Sequence, residues 1–453
     1  MPVMDAERIL AGQRGTVPRY TSYPTAPHFA DQNGLAIARS RLQNLPAGEA
    51  VSLYLHIPFC DRLCWFCGCH TKHTLKYAPV EAYIGALIAE LATVRETAGS
   101  QLRLAHLHLG GGSPSMLRRP DFERLSAALR ENFDLGPETE ISVEIDPSDV
   151  TDETLAGLVA LGVTRASVGV QDFSDAVQEA INRPQSFEQT RDVIAALRAT
   201  GIHSLNIDAL YGLPLQTEER LMATIDQVLS LSPDRIALFG YAHVPWMKKH
   251  QKLIRDEDLP GTMERFHHAA LAADRIAGAG YRRIGIDHFA KPGDTMAIAA
   301  EEGRLHRNFQ GYTTDACQTL IGVGASSISS YGDAYVQNIV PTAQYEKAVQ
   351  DGQLSAMRGV QLNLDDRIRA WIIERLMCDF AFSFDALEER FGYAARSYIA
   401  EAKIAAANDT FKLCRIDGNR FAVREEARPF TRIVASWFDA YLNDSSVRYS
   451  KAV

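Results

Sequence analysis

Three closely spaced cysteines constrain the fold and the chemistry of this chain more than any other feature. Cys60, Cys64 and Cys67 follow the spacing Cys-x3-Cys-x2-Cys. The apolar run 51–57 precedes them and predicts a buried strand, which Pro58 should end because proline cannot donate to a strand ladder. Thiolates this close together repel one another unless a metal or a cluster shares their charge. The pattern therefore predicts a metal- or cluster-binding loop at the carboxyl end of a buried strand.

An iron–sulfur cluster explains this spacing best. A cubane cluster is normally held by four cysteines, so three would leave one iron with an open coordination position. Structural zinc usually needs a second pair of ligands at a distance, and the nearby His70 and His73 keep that alternative open. A disulfide framework is not expected, since 7 cysteines in 453 residues are sparse and no signal peptide indicates an oxidising compartment.

The composition and net charge of the chain limit the classes of partner that it is expected to bind. The chain is 46% hydrophobic and 23% charged, as is ordinary for a soluble globular protein. Its net charge of −9 argues against sequence-independent binding of nucleic acid, which needs a basic face. No apolar run approaches the length of a membrane span, and the N-terminus lacks the features of an export signal. We therefore expect a cytoplasmic protein with no nucleic-acid or membrane partner, in which local Arg and Lys would bind any anionic substrate.

From about residue 51 to residue 286, apolar runs alternate with stretches of helical periodicity. The segment 79–97 places its apolar residues on one face, and Ser186 with Gln189 predicts a capping box for a helix that runs to Thr200. Repeated strand–helix units predict an α/β fold with a parallel sheet, whose chemistry gathers at the carboxyl ends of the strands. The predicted strands are 51–57, 104–109, 140–144, 165–168, 204–210 and 235–239.

The remaining chain predicts an arm and a second domain. The stretch 17–25 is rich in aromatic residues and proline, as expected of an extended arm packed on a neighbouring domain. The segment 303–353 is rich in Gly and Ser. From about residue 362 the chain is mainly helical, and it is expected to end in a hairpin near Asp417 and Gly418. The predicted units are an N-terminal arm (1–50), a main α/β domain with its extension (51–355) and a small, mainly helical C-terminal domain (356–453).

Polar residues follow several of the predicted strands. Gly110-Gly-Gly-Ser-Pro114 comes after the second strand, and glycines let the backbone approach a ligand closely. Glu144 ends the third strand inside an apolar run, where a carboxylate is costly unless it is paired or caps the next helix. Gln171, Arg183 and Asp208 occupy equivalent positions, although each alone would be an ordinary polar residue. Farther along, Asp287-His-Phe-Ala290 and Leu305-His-Arg-Asn-Phe-Gln310 add His and Arg beside aromatic residues.

The cysteine triplet resembles the signature of the radical S-adenosylmethionine (SAM) enzymes. The longer string, with Tyr54, His56-Ile-Pro-Phe59 and the further Cys69, resembles the oxygen-independent coproporphyrinogen III oxidase family. The arm 17–25 is similar to a segment that lies near the substrate entrance in that family. The resemblance implies a radical SAM partial (β/α)6 barrel with a parallel sheet, an N-terminal arm and a mainly helical C-terminal domain.

The same resemblance implies the cofactors and their residues, but assigns no catalytic side chain. Cys60, Cys64 and Cys67, but not Cys69, would hold one [4Fe–4S] cluster, and two SAM molecules would share the site. The residues implied for the cluster-bound SAM are Tyr54, Gly111, Glu144 and Ile328. Those implied for the second SAM are Phe66, Gly112, Ser113, Gln171, Arg183, Asp208 and Ala242.

The implied reaction is the oxidative decarboxylation of two propionate side chains of coproporphyrinogen III to vinyl groups, through a SAM-derived 5′-deoxyadenosyl radical. Arg307 would be suited to pair with a propionate. An electron donor such as flavodoxin or ferredoxin would act on a monomeric enzyme. The segment 432–439 lacks the cysteines common at the C-terminus of the family. Two alternatives remain: a haem-trafficking chaperone of the same superfamily, and a radical SAM methyltransferase or cyclopropane-forming enzyme.

Overall fold

A computed structural model of the protein describes residues 6–12, 16–30 and 32–442. Parts of the predicted N-terminal arm and C-terminal domain therefore lie outside the described residues. No helix in the described ranges is both long enough and apolar enough to cross a bilayer.

The strands vary in length from two residues to thirteen. They are β1 (Ala50–Ile57), β2 (Phe59–Cys60), β3 (Lys72–His73), β4 (Leu102–Gly111), β5 (Phe133–Ile145), β6 (Arg165–Gln171), β7 (Ser204–Tyr211), β8 (Arg235–Gly240), β9 (Arg282–Ile284), β10 (His288–Ala290), β11 (His306–Asn308), β12 (Gly311–Thr313), β13 (Thr319–Val323), β14 (Ile328–Ser330), β15 (Ala334–Asn338), β16 (Ala356–Gln361), β17 (Ala381–Ser383), β18 (Cys414–Asp417) and β19 (Arg420–Val423).

Helices follow most strands of the first half of the chain. They are α1 (Ala6–Gly12), α2 (Gly34–Gln43), α3 (Ala78–Ala98), α4 (Arg119–Asn132), α5 (Asp152–Leu161), α6 (Asp175–Ala180), α7 (Phe187–Ala199), α8 (Glu218–Ser230), α9 (Thr262–Gly278), α10 (Thr295–Glu301), α11 (Thr342–Gln350), α12 (Leu364–Asp379), α13 (Phe384–Phe391), α14 (Ala395–Ala407) and α15 (Thr431–Ser436). Short 3-10 turns include Lys249–Leu253 and Glu425–Phe430.

A twelve-stranded sheet organises the main domain, in the order β16-β15-β14-β13-β1-β4-β5-β6-β7-β8-β10-β9. Every pair from β13 to β8 is parallel, and the strands at both edges are antiparallel. The six predicted strands are all present and adjacent in chain order from β1 to β8. The α/β prediction with a parallel sheet is confirmed.

Buried apolar residues alternate with partly exposed residues along several of the parallel strands, which separates a hydrophobic layer from a polar interior. In β6 the buried Ala166, Val168 and Val170 alternate with partly exposed Ser167, Gly169 and Gln171. Successive strand side chains point to opposite faces, so one set packs beneath the helices while the other lines the concave face of the sheet. Because neighbouring strands share this register, polar residues from separate strands meet inside the barrel.

Local signals explain where several elements begin and end. Gly201, at φ +94°, follows the end of α7, as the sequence predicts. Of the two hydrogen bonds predicted for the capping box at Ser186, the structure forms one, in which the hydroxyl accepts from the backbone N–H of Gln189. β1 ends at Ile57, just before Pro58, but Cys60 is not in a free loop. It belongs to the two-residue strand β2, which pairs with β3.

The regions outside the six-strand unit are more ordered than the sequence indicates. The Gly- and Ser-rich segment contains β13, a fully buried strand that pairs in parallel with β1. α2 packs on β15 and β16. The C-terminal hairpin forms around Gly418, at φ +58°, but the chain does not end there, since Glu425–Phe430 and α15 follow. The arm packs on this region, and the hydroxyl of Tyr20 donates to Asp439 at 2.9 Å.

Candidate active site

A cavity of about 1000 Å3 opens at the carboxyl ends of the parallel strands. Most of the sequence-predicted site residues line it, although they come from separate strands and loops. Those on its wall are Cys60, Cys64, Phe66, Cys67, Gly111, Gly112, Ser113, Glu144, Gln171, Arg183, Asp208 and Ala242. The predicted residues that are not on its wall are Tyr54 and Ile328.

The cysteine loop forms one side of the cavity. Burial, followed by the charges of Cys67 and Cys64, raises the pKa of the Cys60 thiol, and burial also raises the pKa of Cys64. The Cys69 thiol donates to Cys67 and is the main reason that the pKa of Cys67 falls to about 6. The backbone N–H of Cys69 also approaches the Cys67 Sγ at 3.4 Å. Three thiolates here would need a compensating positive charge.

Arg183 connects the loop to the strand ends. Its Nη1 lies 3.5 Å from the Cys64 Sγ and 2.9 Å from the Asp146 carboxylate, while Nη2 donates to the Gly169 carbonyl at 2.8 Å. Its buried Nε has no hydrogen-bond partner within the described residues. Asp146 follows β5 directly, whereas Arg183 lies in the loop between α6 and α7, so the ion pair connects that loop to the end of β5.

Glu144 is held ionised on the cavity wall. It accepts a hydrogen bond from the backbone N–H of Gly111 at 2.9 Å, and its carboxylate lies 3.5 Å from the His108 Nε2. Burial alone would raise the pKa of Glu144, but the hydrogen bonds from His108 and Gly111 lower it below its ordinary value. The carboxylate is therefore paired by residues of the neighbouring strand β4 and does not cap the following helix.

The glycine run brings bare backbone into the cavity. Gly111 has φ +111°, and a Cβ there would lie 2.4 Å from the His56 ring. A Cβ on Gly112 would lie 2.5 Å from the Phe59 carbonyl oxygen. The hydroxyl of Ser113 donates to Asp149, whose pKa burial raises to about 7. Only glycine fits at these two positions, so the wall has exposed peptide groups where a side chain would otherwise stand.

Two further predicted residues follow on the next strands. Gln171 ends β6 at φ +69°, in the left-handed region that is uncommon for residues other than glycine. Asp208 accepts from the Ser167 hydroxyl at 3.0 Å and from the Asn206 amide at 2.7 Å. Burial, followed by the charge of Glu144, raises the pKa of Asp208 to about 6 despite these bonds.

Tyr54 and Ile328 lie behind the cavity wall. The Tyr54 ring stacks on His108 with centroids 5.8 Å apart, and its hydroxyl is 3.0 Å from the His56 Nδ1. His56 donates a hydrogen bond from Nε2 to the His70 carbonyl. Burial lowers the pKa of His56 to about 4, so the ring is neutral and its Nδ1 accepts a hydrogen bond from the Tyr54 hydroxyl. Ile328 is the first residue of β14, and its backbone lies close to Gly322 of β13. Gly322 is in turn the residue that pairs with Tyr54 in the sheet.

The opposite side of the cavity is rich in arginine. Arg19, Arg307 and Arg432 line it together with Asp287 and His288. Arg307 donates to the backbone carbonyls of Tyr20 and Arg19, at 3.3 and 3.4 Å. Its buried Nη1 has no hydrogen-bond partner in the described chain. Burial, followed by the neighbouring Arg19, lowers the pKa of Arg432 to about 10, because several positive charges lie close together around Asp287.

Sequence reasoning missed several of these residues. Asp146 is two residues after Glu144, and its place directly after a predicted strand was a usable signal. Arg19 and Arg432 come from opposite ends of the chain, and no local pattern connects them. Lys248 and His250 were also missed, although both contact the cysteine loop: Lys248 donates to the Cys69 carbonyl and His250 to the Cys67 carbonyl, each at 2.8 Å.

The residues present fit an iron–sulfur cluster. Three thiols face one cavity, and thiolates are the usual ligands of such clusters. Arg183 stands beside one of them, as expected for a group that carries net negative charge with its thiolates. In residues 6–12, 16–30 and 32–442, no three His, Cys, Asp or Glu side chains form a group that could hold a single metal ion. A cubane instead takes its thiolates on different iron atoms.

The comparisons with known proteins agree with this geometry. The radical SAM superfamily model matches residues 54–228. An oxygen-independent coproporphyrinogen III oxidase from Cereibacter sphaeroides is 46% identical over 436 residues, covering 96% of each chain. One from Bradyrhizobium diazoefficiens is 44% identical, covering 96% of this chain and 97% of that protein. The structure of coproporphyrinogen III oxidase (HemN) from Escherichia coli, described as a radical SAM enzyme, matches with a TM-score of 0.88 at 37% identity, covering 94% of this chain and 98% of that chain.

A parallel (β/α) sheet with a three-cysteine loop and a strand-end cavity defines a radical SAM protein. Within that class, the similarity extends over nearly the whole length of both chains. The chain belongs to the oxygen-independent coproporphyrinogen III oxidase family.

Proposed function

We propose that this protein converts two propionate side chains of coproporphyrinogen III to vinyl groups without oxygen, giving protoporphyrinogen IX. The observation that carries the proposal is one cavity with a cysteine loop on one side and an arginine-rich wall on the other. A volume of about 1000 Å3 is ample for a large ligand beside a cofactor. The first wall suits a redox cofactor, and the second suits an anion with several carboxylates.

Cys60, Cys64 and Cys67 would hold one [4Fe–4S] cluster, which leaves one iron open for SAM. When bound, the cluster and SAM would supply a 5′-deoxyadenosyl radical to remove a hydrogen atom from the propionate β-carbon, and loss of CO2 and of one electron to an external acceptor would then leave the vinyl group. The role of the protein is to bind, orient and exclude water. Glu144 offers a charged oxygen beside bare backbone at Gly111, a pairing suited to the amino acid part of SAM.

The resemblance to the family implies a second SAM molecule, and a set of polar residues on the cavity wall supports this part of the proposal. Ser113 follows β4, Gln171 ends β6, Arg183 lies in the loop between α6 and α7, and Asp208 lies in β7; all four line the same cavity. Phe66, Gly112 and Ala242 would add contacts for this second molecule. Tyr54 lies behind the wall, so its proposed role at the first SAM is to support Gly111 and Glu144 through His56 and His108. Ile328 also lies behind the wall, beside Gly322, and its proposed role is to support the strand that pairs with Tyr54.

The arginine-rich wall would bind the propionates that are not reacting. Arg307 presents an unpaired Nη1 in a buried site, where a planar guanidinium binds a carboxylate through two parallel hydrogen bonds. Asp287 accepts from His288 at 2.7 Å and keeps a pKa of about 2, so it balances part of the positive charge without neutralising it. A ligand with four carboxylates would complete the balance.

An anaerobic assay with reconstituted protein, SAM, dithionite and coproporphyrinogen III tests the proposal. Porphyrin chromatography should show first a monovinyl and then a divinyl product, with one 5′-deoxyadenosine formed for each vinyl group. SAM cleavage without vinyl formation would indicate a radical SAM enzyme for another substrate. Haem binding without SAM cleavage would indicate a trafficking chaperone. Either result would overturn the proposal.

A further inference from the structure

The segment 244–253 covers the cysteine loop from the outside and has an unusual surface. It forms a 3-10 turn over Lys249–Leu253, and residues 246–253 do not line the cavity. Three of its side chains are large, apolar and exposed: Met247 at 63%, Leu253 at 56% and Trp246 at 42%. Lys249 and Lys252 are exposed beside them. This surface is therefore both basic and apolar, on a protein whose net charge is −9.

Side chains on the inner side of this segment donate hydrogen bonds to the loop that bears the thiols. Lys248 donates to the Cys69 carbonyl, His250 to the Cys67 carbonyl and Gln251 to the Phe66 carbonyl, at 2.8, 2.8 and 2.9 Å. Gln251 is completely buried. These bonds reach three carbonyls of the cysteine loop, so the segment with the exposed side chains is in direct contact with the backbone that bears Cys67.

The turn geometry separates the anchoring side chains from the exposed ones. Residues three apart share a face of a 3-10 turn, which places Lys248 and Gln251 together on the inner face. Lys249 and Lys252 share a second face, which is exposed. Neither forms an ion pair with a carboxylate in the described chain, whereas the acidic residues that follow are already paired: Arg255 binds Asp258 at 2.7 Å, and His243 lies 3.0 Å from Asp256.

We propose that the surface formed by Trp246, Met247, Lys249, Lys252 and Leu253 is the docking site for a small acidic electron-transfer protein. This inference rests on the proposed function, which needs one electron from outside for each SAM cleaved. The reduced carrier loses one electron, and the cluster held by the cysteine loop gains it. An acidic carrier complements the two lysines, while the apolar side chains provide the desolvated centre of a small, transient interface. A membrane surface is another ligand that such a patch can bind. Membrane binding would not explain the hydrogen bonds that connect this segment to the cysteine loop.

The test compares reduction of the cluster by an electron-transfer protein with its reduction by a small chemical reductant. Reconstituted Lys249→Glu/Lys252→Glu enzyme is supplied with either reduced flavodoxin or dithionite, and 5′-deoxyadenosine formation is followed. At low salt the flavodoxin-driven rate should fall about 10-fold or more, because charge reversal removes electrostatic steering. The dithionite-driven rate should stay unchanged. The matched control is Lys403→Glu/Lys412→Glu, which reverses two exposed lysines of the C-terminal region and should leave both rates unchanged.

Direct binding gives a second, independent readout. Calorimetry of oxidised flavodoxin with the parent enzyme should show a Kd that weakens with salt, and the Lys249→Glu/Lys252→Glu variant should lose both the affinity and the salt dependence. Met247→Gln should weaken binding while keeping the salt dependence. Equal binding and equal flavodoxin-driven rates in parent and variant would overturn the inference, as would loss of binding to anionic vesicles with no effect on flavodoxin. Failure of the parent with dithionite would instead overturn the proposed function, and the binding comparison would still decide the docking site.

Discussion

The guanidinium of Arg183 lies 3.5 Å from the Sγ of Cys64, a residue 119 positions earlier in the chain. The same Nη1 is 2.9 Å from Asp146, and both members of that ion pair are mostly buried. The cysteine loop is therefore held against the end of β5 by one cation before any cofactor binds. That cation also lowers the pKa of Cys64, which burial would otherwise raise further.

Removing Arg183 should destabilise the metal-free protein. Arg183→Met leaves Asp146 as a mostly buried carboxylate without its charged partner, and breaking such a pair costs about 3 to 5 kcal/mol. Urea unfolding of the cluster-free protein measures this loss. The control is Arg191→Met, which removes an exposed ion pair with Asp192 and should cost less than about 1 kcal/mol. Equal losses for the two variants would show that Arg183 does not hold the loop.

Adding one methyl group at Gly111 should disable the site. Gly111→Ala places a Cβ 2.4 Å from the His56 ring at φ +111°, so both the strand end and the Tyr54–His56 pair must move. We expect SAM affinity to fall at least 10-fold, measured by equilibrium binding to cluster-loaded protein. Gly136→Ala is the matched control, since its Cβ meets nothing within 4 Å. Unchanged SAM affinity in Gly111→Ala would refute the assignment of this backbone to SAM.

Asp208 should make stability depend on pH in a particular direction. Its pKa is about 6 in the folded protein, above the value of about 3.9 expected in an unfolded chain. The folded state therefore binds more protons than the unfolded state between about pH 4 and pH 6, and the free energy of unfolding decreases as pH rises through that window.

Substituting Asp208 should remove this dependence. Relative to the parent, Asp208→Asn should become more stable by about 1 to 2 kcal/mol between pH 4.5 and pH 7.5, measured by urea unfolding of the cofactor-free protein. The exposed variant Asp192→Asn is measured in the same way, because it shows how much the loss of one surface negative charge changes the free energy of unfolding. A parent-to-variant difference that does not change with pH would mean that Asp208 titrates normally.

Arg307 should govern substrate binding and leave SAM cleavage intact. Arg307→Met removes the guanidinium whose Nη1 is unpaired, so KM for coproporphyrinogen III should rise about 10-fold or more, while SAM is still cleaved and 5′-deoxyadenosine forms in excess of vinyl product. Arg304→Met, which alters an exposed arginine paired with Glu302, should change neither quantity. A parallel loss of SAM cleavage in Arg307→Met would place this residue at the cofactor and not at the substrate.

Much of the main domain follows from the sequence because its signals are local. Strand positions come from apolar alternation, and parallel strands bring their carboxyl ends to one edge, so Glu144, Gln171 and Asp208 could be expected to converge. The strand β13 was missed because its five residues lie in a Gly- and Ser-rich segment and pair with β1, which is more than 260 residues earlier. Pairing over such a distance leaves no local pattern.

The arginine-rich wall could not be predicted for a similar reason. Arg19 belongs to the arm and Arg432 to α15, and only tertiary packing of the arm on the C-terminal region brings them together. Arg307 was identified because it stands in a recognisable string. The anchoring of the cysteine loop by Lys248 and His250 also depends on a fold-level contact, since their segment follows the sixth strand of the parallel unit.

The central claim is that three cysteines, and not four, hold the cluster. Cys69 is separated from Cys67 only by Gly68, and in the metal-free protein its thiol donates to Cys67. A fourth ligand from the same short loop would strain the backbone and would close the iron position that SAM needs. Cys69 is instead suited to donate a hydrogen bond to a ligand sulfur, through its backbone N–H at 3.4 Å.

Iron content after anaerobic reconstitution measures this claim most directly. It is compared across Cys60→Ser, Cys64→Ser, Cys67→Ser and Cys69→Ser, together with the cluster absorbance. We predict that the first three variants lose the cluster, while Cys69→Ser retains about four irons per chain and loses turnover. If Cys69→Ser loses iron as severely as the other three, the cluster is closed by four cysteines and the open-site account is contradicted.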